Sequence, residues 1–232
     1  MLKSYYKNDY VTIYHGDCLE VIPQLEQAFN CVIADPPYRW KSGKRGNPVI
    51  PFENMWDVLD KKVYEEGAIC IFSMEPFSSK LICSNVDNFK YKWYWKKQQA
   101  GNFQNAKFQP LNLIEEICVF SKNNCANSAL NPMIYFPIKE DDKYPNTLLE
   151  FNKPHLQDAY HPLQKPVPLI EYLIETYTKR DDLVLDFCAG SGSTGIACIN
   201  QHRKCILIDN DEACCEIAAK RIDNNFFQEE LF

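Results

Sequence analysis

The sequence has little glycine and no long apolar run. Only 8 of its 232 residues are glycine, and it has no repeats or low-complexity tracts, which excludes collagen-like and disordered chains. No apolar stretch approaches the roughly 20 residues that span a bilayer, and the polar N-terminus lacks a signal-peptide core. The eleven cysteines include no C-x-x-C pair, so neither a zinc site nor a disulfide framework is predicted. We expect a cytoplasmic protein with reduced, mostly buried thiols and no bound metal.

Acidic residues outnumber basic ones. The 31 Asp and Glu exceed the 25 Lys and Arg, which gives a net charge of −6. Any contact with nucleic acid must therefore come from local basic patches. Hydrophobic residues make up 46% of the chain, enough for the core of one domain of this length. We predict a single domain over residues 1–232.

Short apolar runs alternate with helical patterns along the chain. Strands are predicted at 11–15, 31–34, 68–72, 89–95, 117–120, 183–185 and 205–208, and helices at 54–66, 166–177, 196–199 and 213–224. Gly67 is predicted to close the first of these helices. Segment 121–160 carries four prolines and is expected to be rich in loops. The alternation predicts an α/β fold with a mostly parallel sheet and helices on both faces.

A glycine-rich turn follows the apolar strand at 183–185. Gly190, Gly192 and Gly195 form G-x-G-x-x-G before a predicted helix, and Asp209 ends the next strand 19 residues beyond Gly190. Glycine lets the backbone approach a ligand closely, and an acidic residue at this place can bind ribose hydroxyls. The pattern predicts a site for an adenosine-containing cofactor, which is either a dinucleotide or another adenosyl ligand.

The sequence Asp35-Pro36-Pro37-Tyr38 follows another buried strand. Two consecutive prolines fix the backbone and remove two N–H donors. A carboxylate, a proline carbonyl and an aromatic ring are then held together as two acceptors and a stacking face. An amino group on a flat ring has two hydrogens for such acceptors. The turn is therefore predicted to bind the exocyclic amine of a base.

The two turns and their order resemble the β group of amino DNA methyltransferases, which modify adenine N6 or cytosine N4. D-P-P-Y at 35–38 resembles the catalytic motif of that family, and residues 186–194 resemble its cofactor motif. H-P-L-Q-K-P at 161–166 is similar to the segment that precedes the cofactor strand, and 16–20 and 115–122 match further segments. The resemblance implies a Rossmann-like class I methyltransferase fold, circularly permuted, with a mostly parallel seven-stranded sheet.

Two positions depart from the family pattern. Phe187 and Cys188 stand where Pro and Phe are usual, so the aromatic ring is displaced by one residue. Asp209 replaces the more frequent Glu and is expected to bind ribose hydroxyls with a shorter reach.

The resemblance also implies the reaction and its residues. S-adenosylmethionine is the implied methyl donor, and Asp rather than Ser at position 35 favours adenine N6 as the acceptor. The Asp35 carboxylate and the Pro36 carbonyl would accept the two amine hydrogens while Tyr38 stacks on a flipped base. The catalytic residues implied are Asp35, Pro36, Pro37 and Tyr38. The cofactor-binding residues implied are Asp17, Cys18, Asp35, Gln164, Lys165, Asp186, Phe187, Gly190, Ser191, Gly192, Thr194, Asp209 and Asn210.

Two basic blocks, at 39–48 and 88–110, contain no acidic residue. In a chain with net negative charge we interpret them as contacts to DNA phosphates. Segment 39–54 is expected to form a mobile lid over base and cofactor, and segment 122–160 a target-recognition insertion. The predicted DNA-binding residues are Arg39, Lys41, Lys44, Arg45, Lys96, Lys97 and Lys107.

Several alternatives stay open. The same fold could methylate cytosine N4 or an RNA base. An NAD-dependent dehydrogenase could use G-x-G-x-x-G and Asp209, but it would leave D-P-P-Y without a role. A non-catalytic DNA-binding subunit would predict damage to the Asp35 turn. The expected partner is double-stranded DNA and no membrane, with a second copy of the chain and a cognate restriction endonuclease of a restriction-modification system as further candidates.

Overall fold

The computed structural model describes residues 2–38, 49–126, 129–153 and 164–229. Within these ranges nine strands form one sheet: β1 (Tyr6–Lys7), β2 (Val11–His15), β3 (Phe29–Ala34), β4 (Val63–Ser73), β5 (Phe89–Gly101), β6 (Asn112–Phe120), β7 (Leu148–Glu150), β8 (Leu183–Asp186) and β9 (Lys204–Asp209). The helices are α1 (Cys18–Val21), α2 (Phe52–Lys62), α3 (Phe77–Cys83), α4 (Val167–Tyr177), α5 (Ser193–Asn200) and α6 (Glu212–Glu229).

The strand order is β1-β2-β9-β8-β3-β4-β6-β5-β7. The strands from β2 to β4 pair in parallel, whereas β1 and β6 pair antiparallel with their inner neighbours. β5 is antiparallel to β6, and β7 is parallel to β5. The predicted α/β fold with a mostly parallel sheet is confirmed, but the count of seven strands is wrong. Two edge strands of two and three residues are added to the seven, and they are too short to give a sequence pattern.

Both faces of the sheet are covered by helices, as predicted. Along β3, Cys31 and Ile33 belong to an apolar cluster that contains residues of α4, α5 and α6. Val32 and Ala34 belong to a second cluster with residues of α1, α2 and α3. Successive side chains of a strand point to opposite faces, so a strand buried on both faces must be apolar at every position.

The carboxyl ends of the parallel strands meet at one edge of the sheet, which we call the carboxyl edge. Ala34, Ser73, Asp186 and Asp209 are the last residues of β3, β4, β8 and β9. Because β6 is antiparallel to β4, Glu116 near its start pairs with Ser73. The start of β6 and the end of β5 therefore also lie at this edge.

Some element boundaries differ from the prediction. The helix predicted at 54–66 ends at Lys62, and Val63 already begins β4. Gly67 lies inside that strand, where an added Cβ would be 2.8 Å from the carbonyl oxygen of Asn30. Gly67 is therefore required by the close approach of β3 and does not cap the helix.

The described part of segment 121–153 is rich in loops, as predicted, with β7 as its only strand there. Its first portion lies away from the carboxyl edge, because the backbone N–H groups of Asn123 and Ile134 donate to the carbonyls of Glu65 and Glu66 near the start of β4. None of the described helices is long and apolar enough to cross a membrane. Most of the thiols are buried, as expected.

Candidate active site

The two motif turns share a cavity of about 1110 Å³ at the carboxyl edge. Its wall includes Asp35 to Tyr38 after β3, residues 186–191 after β8, and Asp209 at the end of β9. β3 pairs with β8, and β8 with β9, so the sheet topology places the three loops side by side. An arrangement of this kind is where open α/β sheets bind their ligands.

The glycine-rich turn is held by Asp209. Its Oδ2 accepts a hydrogen bond from the Gly190 N–H at 2.7 Å, and its Oδ1 accepts one from the Asp211 N–H at 2.9 Å. Gly190 and Gly192 have φ of +51° and +76°, a backbone region that favours glycine. A Cβ on Gly192 would lie 2.8 Å from the Cβ of Ala218 in α6, whereas a Cβ on Gly190 would meet no atom within 4 Å. Gly192 therefore allows a helix to pack, and Gly190 leaves open space beside the cavity.

Asp186 is buried beneath this turn. Its carboxylate accepts hydrogen bonds from the Thr194 hydroxyl at 2.5 Å and from the Cys188 N–H at 3.0 Å. Burial raises the pKa of Asp186 to about 7, although both hydrogen bonds act in the opposite direction. The carboxyl group thus fixes both ends of the glycine-rich turn, at Cys188 and at the start of α5.

Arg221 in α6 supports the same turn and was not predicted. Its Nη1 donates to the Ser191 carbonyl and to the Ser193 hydroxyl, each at 3.1 Å. Ser191 also has its hydroxyl 3.5 Å from Gln164. Arg221 lies 30 residues beyond Ser191 in a helix without a motif, so only the packing of α6 against the turn reveals its role.

The remaining predicted cofactor residues also line the cavity, including Asp17, Cys18, Phe187 and Asn210. Asp17 caps α1 by accepting a hydrogen bond from the Leu19 N–H at 2.8 Å. Burial raises the pKa of the Cys18 thiol to about 12, with the Asp17 carboxylate adding to the shift. Phe187 is 2% exposed and packs in the cluster that contains α1 and α2. The aromatic ring at this displaced position is therefore part of the core as well as of the cavity wall.

Both carboxylate oxygens of Asp35 have partners. The Tyr38 hydroxyl donates to Oδ1, and the Lys165 ammonium donates to Oδ2. Burial raises the pKa of Tyr38 well above its ordinary value, and the nearby Asp35 carboxylate raises it further, so Tyr38 remains a hydrogen-bond donor. The Tyr38 ring packs on Phe77 at the start of α3, with centroids 5.0 Å apart and planes at 38°.

Lys165 connects Asp35 to a second carboxylate, that of Glu115 in β6. Its Nζ lies 3.4 Å from Glu115 Oε2, and Glu115 Oε1 accepts a hydrogen bond from Lys97 at 3.0 Å. Burial alone would lower the pKa of Lys165, but the two carboxylates outweigh it and raise the pKa above its ordinary value. Burial would likewise raise the pKa of Glu115, but Lys165 and Lys97 outweigh it and lower the pKa. Asp35, Lys165, Glu115 and Lys97 thus form a row of alternating charges.

Glu115 was not predicted as a site residue. The sequence placed it only in a segment similar to a family strand, and its partners lie 18 residues away in β5 and 50 residues away before α4. An acidic residue among apolar ones, at the start of a predicted strand, was the one available signal.

The predicted DNA-binding residues have different environments. Lys97 is 6% exposed and paired with Glu115, so its ammonium does not face solvent and the expectation of a phosphate contact is not met. Lys96 pairs with Glu150 of β7 at 3.0 Å with a half-exposed side chain. Lys107 is exposed. Neighbouring strands supply the acidic partners that the basic block itself lacks.

Part of the prediction lies outside the described residues. Arg39, Lys41, Lys44, Arg45 and residues 161–163 belong to that part. Of the expected lid at 39–54, residues 49–54 are described; Val49, Ile50 and Pro51 line the cavity, and Phe52 begins α2.

Comparison with known proteins gives a consistent result. Residues 29–220 match the model of a protein family described as DNA methylase, covering N6 and N4 enzymes. Type II methyltransferase M2.LlaDCHI of Lactococcus lactis subsp. cremoris is 26% identical over 96% of this chain and 93% of its own length. DNA adenine methyltransferase YhdJ of Escherichia coli (strain K12) is 24% identical over 97% of this chain and 87% of its own length.

A solved structure extends the likeness to three dimensions. The crystal structure of the M1.HpyAVI–SAM complex superposes with a TM-score of 0.70 and 26% sequence identity. The superposition covers 92% of this chain and 99% of the other.

Proposed function

Because the chain belongs to the N6/N4 DNA methylase family, whose model it matches over residues 29–220, we propose that it methylates adenine N6 in double-stranded DNA with S-adenosylmethionine. The sheet order and the likeness to M1.HpyAVI confirm the Rossmann-like class I methyltransferase fold. One observation carries the proposal: the Asp35 turn and the glycine-rich turn line the same cavity.

The residues around the glycine-rich turn fit an adenosyl cofactor. Gly190 leaves space for a ligand, since an added Cβ would meet nothing within 4 Å. Asp209 is fixed by two backbone N–H groups and keeps lone pairs for ribose hydroxyls. Asp17, Phe187 and Asn210 line the neighbouring wall. When bound, the cofactor supplies an electrophilic methyl group on a sulfonium.

The Asp35 turn would activate the acceptor amine. The lone pair of the amine is delocalised into the base, so the nitrogen is a poor nucleophile. Hydrogen bonds from its two hydrogens to the Asp35 carboxylate and the Pro36 carbonyl would draw it towards tetrahedral geometry and localise the lone pair. Such positioning can contribute several kcal/mol to catalysis. Both Asp35 oxygens are already bonded, so the amine must displace the Tyr38 hydroxyl from Oδ1.

Tyr38 is suited to this exchange. Once its hydroxyl leaves Asp35, its ring can stack on the incoming base, because Phe77 already packs on it from one side. The Lys165 ammonium would keep Oδ2 and hold the carboxylate in place. A base inside a duplex cannot reach a recessed carboxylate, so the target nucleotide must be flipped out at a cost of a few kcal/mol.

Adenine is favoured over cytosine by two observations. Position 35 is Asp rather than Ser, which in the resembling family accompanies N6-adenine specificity. A relative with 24% identity over 97% of this chain is named a DNA adenine methyltransferase. Cytosine N4 is the second candidate, because the matching family covers both amino groups.

The decisive experiment incubates the purified protein with S-adenosylmethionine and unmethylated random-sequence duplex DNA. Mass spectrometry of the nucleosides identifies the product, and sequencing maps the modified positions. We expect N6-methyladenine, and an Asp35→Asn variant that binds S-adenosylmethionine in calorimetry but forms no product. N4-methylcytosine alone would establish the second candidate. Saturable binding of NAD without binding of S-adenosylmethionine would refute the methyltransferase function.

Double-stranded DNA is the partner that this function requires. The likeness to a type II methyltransferase supports a cognate restriction endonuclease in the same system. A homodimer and a cytoplasmic location remain predictions, and light scattering with and without DNA tests the first.

A further inference from the structure

The hairpin tip between β5 and β6, residues 98–114, extends from the carboxyl edge. Glu115 directly after it lines the active-site cavity. Gly101 pairs with Asn112, and Lys96 with Ile114, at the base of the tip. With a strand rise of about 3.3 Å per residue, Leu111 is roughly 13 Å from Glu115. The tip therefore begins beside the cavity and extends outwards from it.

The tip is exposed but ordered by its own hydrogen bonds. Every residue from 102 to 111 is exposed, and Phe103 and Phe108 are 64% and 87% exposed. Asn105 Nδ2 donates to Asn102 Oδ1 at 2.7 Å, and the Phe108 N–H donates to the Asn105 carbonyl at 2.8 Å. Two aromatic rings held in water at the end of a structured hairpin indicate a binding surface.

The composition of the tip fits DNA. It contains no acidic residue, and Lys107 is its only charged residue, in a chain with a net charge of −6. Seven of its 17 residues are Asn or Gln, the side chains that pair with adenine edges in the major groove. Exposed Phe side chains are among those that insert between base steps and kink a duplex.

The segment predicted for target recognition is less well placed in its first part. Asn123 and Ile134 are tied to Glu65 and Glu66 near the start of β4, and this is the end of the strand opposite to the carboxyl edge. The chain returns to that edge only with β7, which is parallel to β5. The hairpin tip therefore has the better position for contact with DNA near the flipped base.

We propose that the 98–114 hairpin tip enters the DNA next to the flipped nucleotide. Phe103 and Phe108 stack against the bases that the flipped nucleotide leaves unstacked, and the amide side chains read neighbouring base edges. The inference rests on the proposed DNA methyltransferase function and assigns part of its target recognition to a segment outside 122–160.

The test compares two double variants in the full-length protein. Phe103→Ala/Phe108→Ala removes both rings from the tip. Val86→Ala/Leu130→Ala is the control, because these side chains are 63% and 99% exposed and lie near the opposite edge. We expect kcat/KM for random-sequence duplex DNA to fall at least tenfold in the tip variant and to change less than twofold in the control. The Kd for S-adenosylmethionine and the unfolding temperature should match the wild type in both.

Each other outcome overturns the inference in a recognisable way. Wild-type activity on DNA with a tip variant within twofold of it refutes the hairpin alone, whereas a wild type without activity on DNA removes the proposed function too. A tip variant that changes from dimer to monomer in sedimentation, with unchanged kcat/KM, would identify the tip as a contact between two copies. Gln104→Ala and Gln109→Ala should relax the sequence context of the mapped methylated bases, and an unchanged context would exclude base reading by these amides.

Discussion

Replacing Glu115 by Gln removes the negative charge that lies between two buried ammonium groups. Lys97 donates to one of its oxygens at 3.0 Å, and Lys165 lies 3.4 Å from the other. The Glu115 and Lys97 side chains are only 9% and 7% exposed. Gln keeps the size and one acceptor of Glu, so the variant changes charge with little change in packing.

The expected loss of stability follows from burial. At 3.0 Å, two unit charges attract by about 5 kcal/mol at an effective dielectric constant of about 20, and by about 1 kcal/mol in water. Breaking a buried pair by removing one partner typically costs about 3–5 kcal/mol, because the other charge stays buried. The amide oxygen of the introduced glutamine retains part of the contact, so we expect a loss of about 3 kcal/mol. At about 2–4 °C per kcal/mol, the unfolding temperature should fall by about 6–12 °C.

The protein contains a matched control for this measurement. Glu150 pairs with Lys96 at the same distance, 3.0 Å, but the two side chains are 62% and 41% exposed. Glu150→Gln should therefore cost less than about 1 kcal/mol. Urea unfolding of wild type and both variants gives the comparison. Equal losses in the two variants, or a loss below about 1 kcal/mol for Glu115→Gln, would show that the buried charge row does not stabilise the site.

Further predictions concern the two turns. Gly192→Ala should cost more than about 2 kcal/mol, because it adds a close contact with α6 to an unfavourable φ, whereas Gly190→Ala should cost about 1 kcal/mol; equal losses in denaturant unfolding would contradict this. The folded state raises the pKa of Asp186 from 3.8 to about 7, so it retains a proton that the unfolded chain releases, and stability should fall by at most about 4 kcal/mol as pH rises from about 4 to 7. Unfolding temperatures of Asp186→Asn should vary less over that range, and an equal slope in both proteins would refute the assignment. Tyr38→Phe should keep methyl transfer within about tenfold of wild type and Tyr38→Ala should lose at least ten times more, since stacking needs the ring; equal rates would exclude stacking.

The central strands could be predicted because their signal is local. β2 begins and ends where its apolar pattern does, and β8 extends the predicted strand by one residue, Asp186. Both lie between neighbours in the parallel sheet, so burial on both faces requires an unbroken apolar run. The two motif turns were found for the same reason, because each follows directly after such a strand.

What the sequence could not show depends on partners that are distant along the chain. The basic block at 88–110 contains no acid, yet Lys97 and Lys96 are paired with Glu115 and Glu150 from β6 and β7. Strand register decides such pairs, and register is a property of the assembled sheet. The end of α2 was misplaced because Gly67 resembles a helix cap in sequence, whereas the close approach of Asn30 is the reason for a glycine there.

The pairing of β2 with β9 has a consequence for synthesis of the protein. Val11 lies beside Cys205, and His15 beside Asp209, so one of the first strands to leave the ribosome must wait for nearly the last. At the usual rate of about 5–20 residues per second, the delay is roughly 10–40 s. During that time the apolar β2 and β3 have no β8 or β9 to pair with, and they are candidates for chaperone binding. Premature termination anywhere before β9 would therefore yield an aggregation-prone fragment without a cofactor pocket.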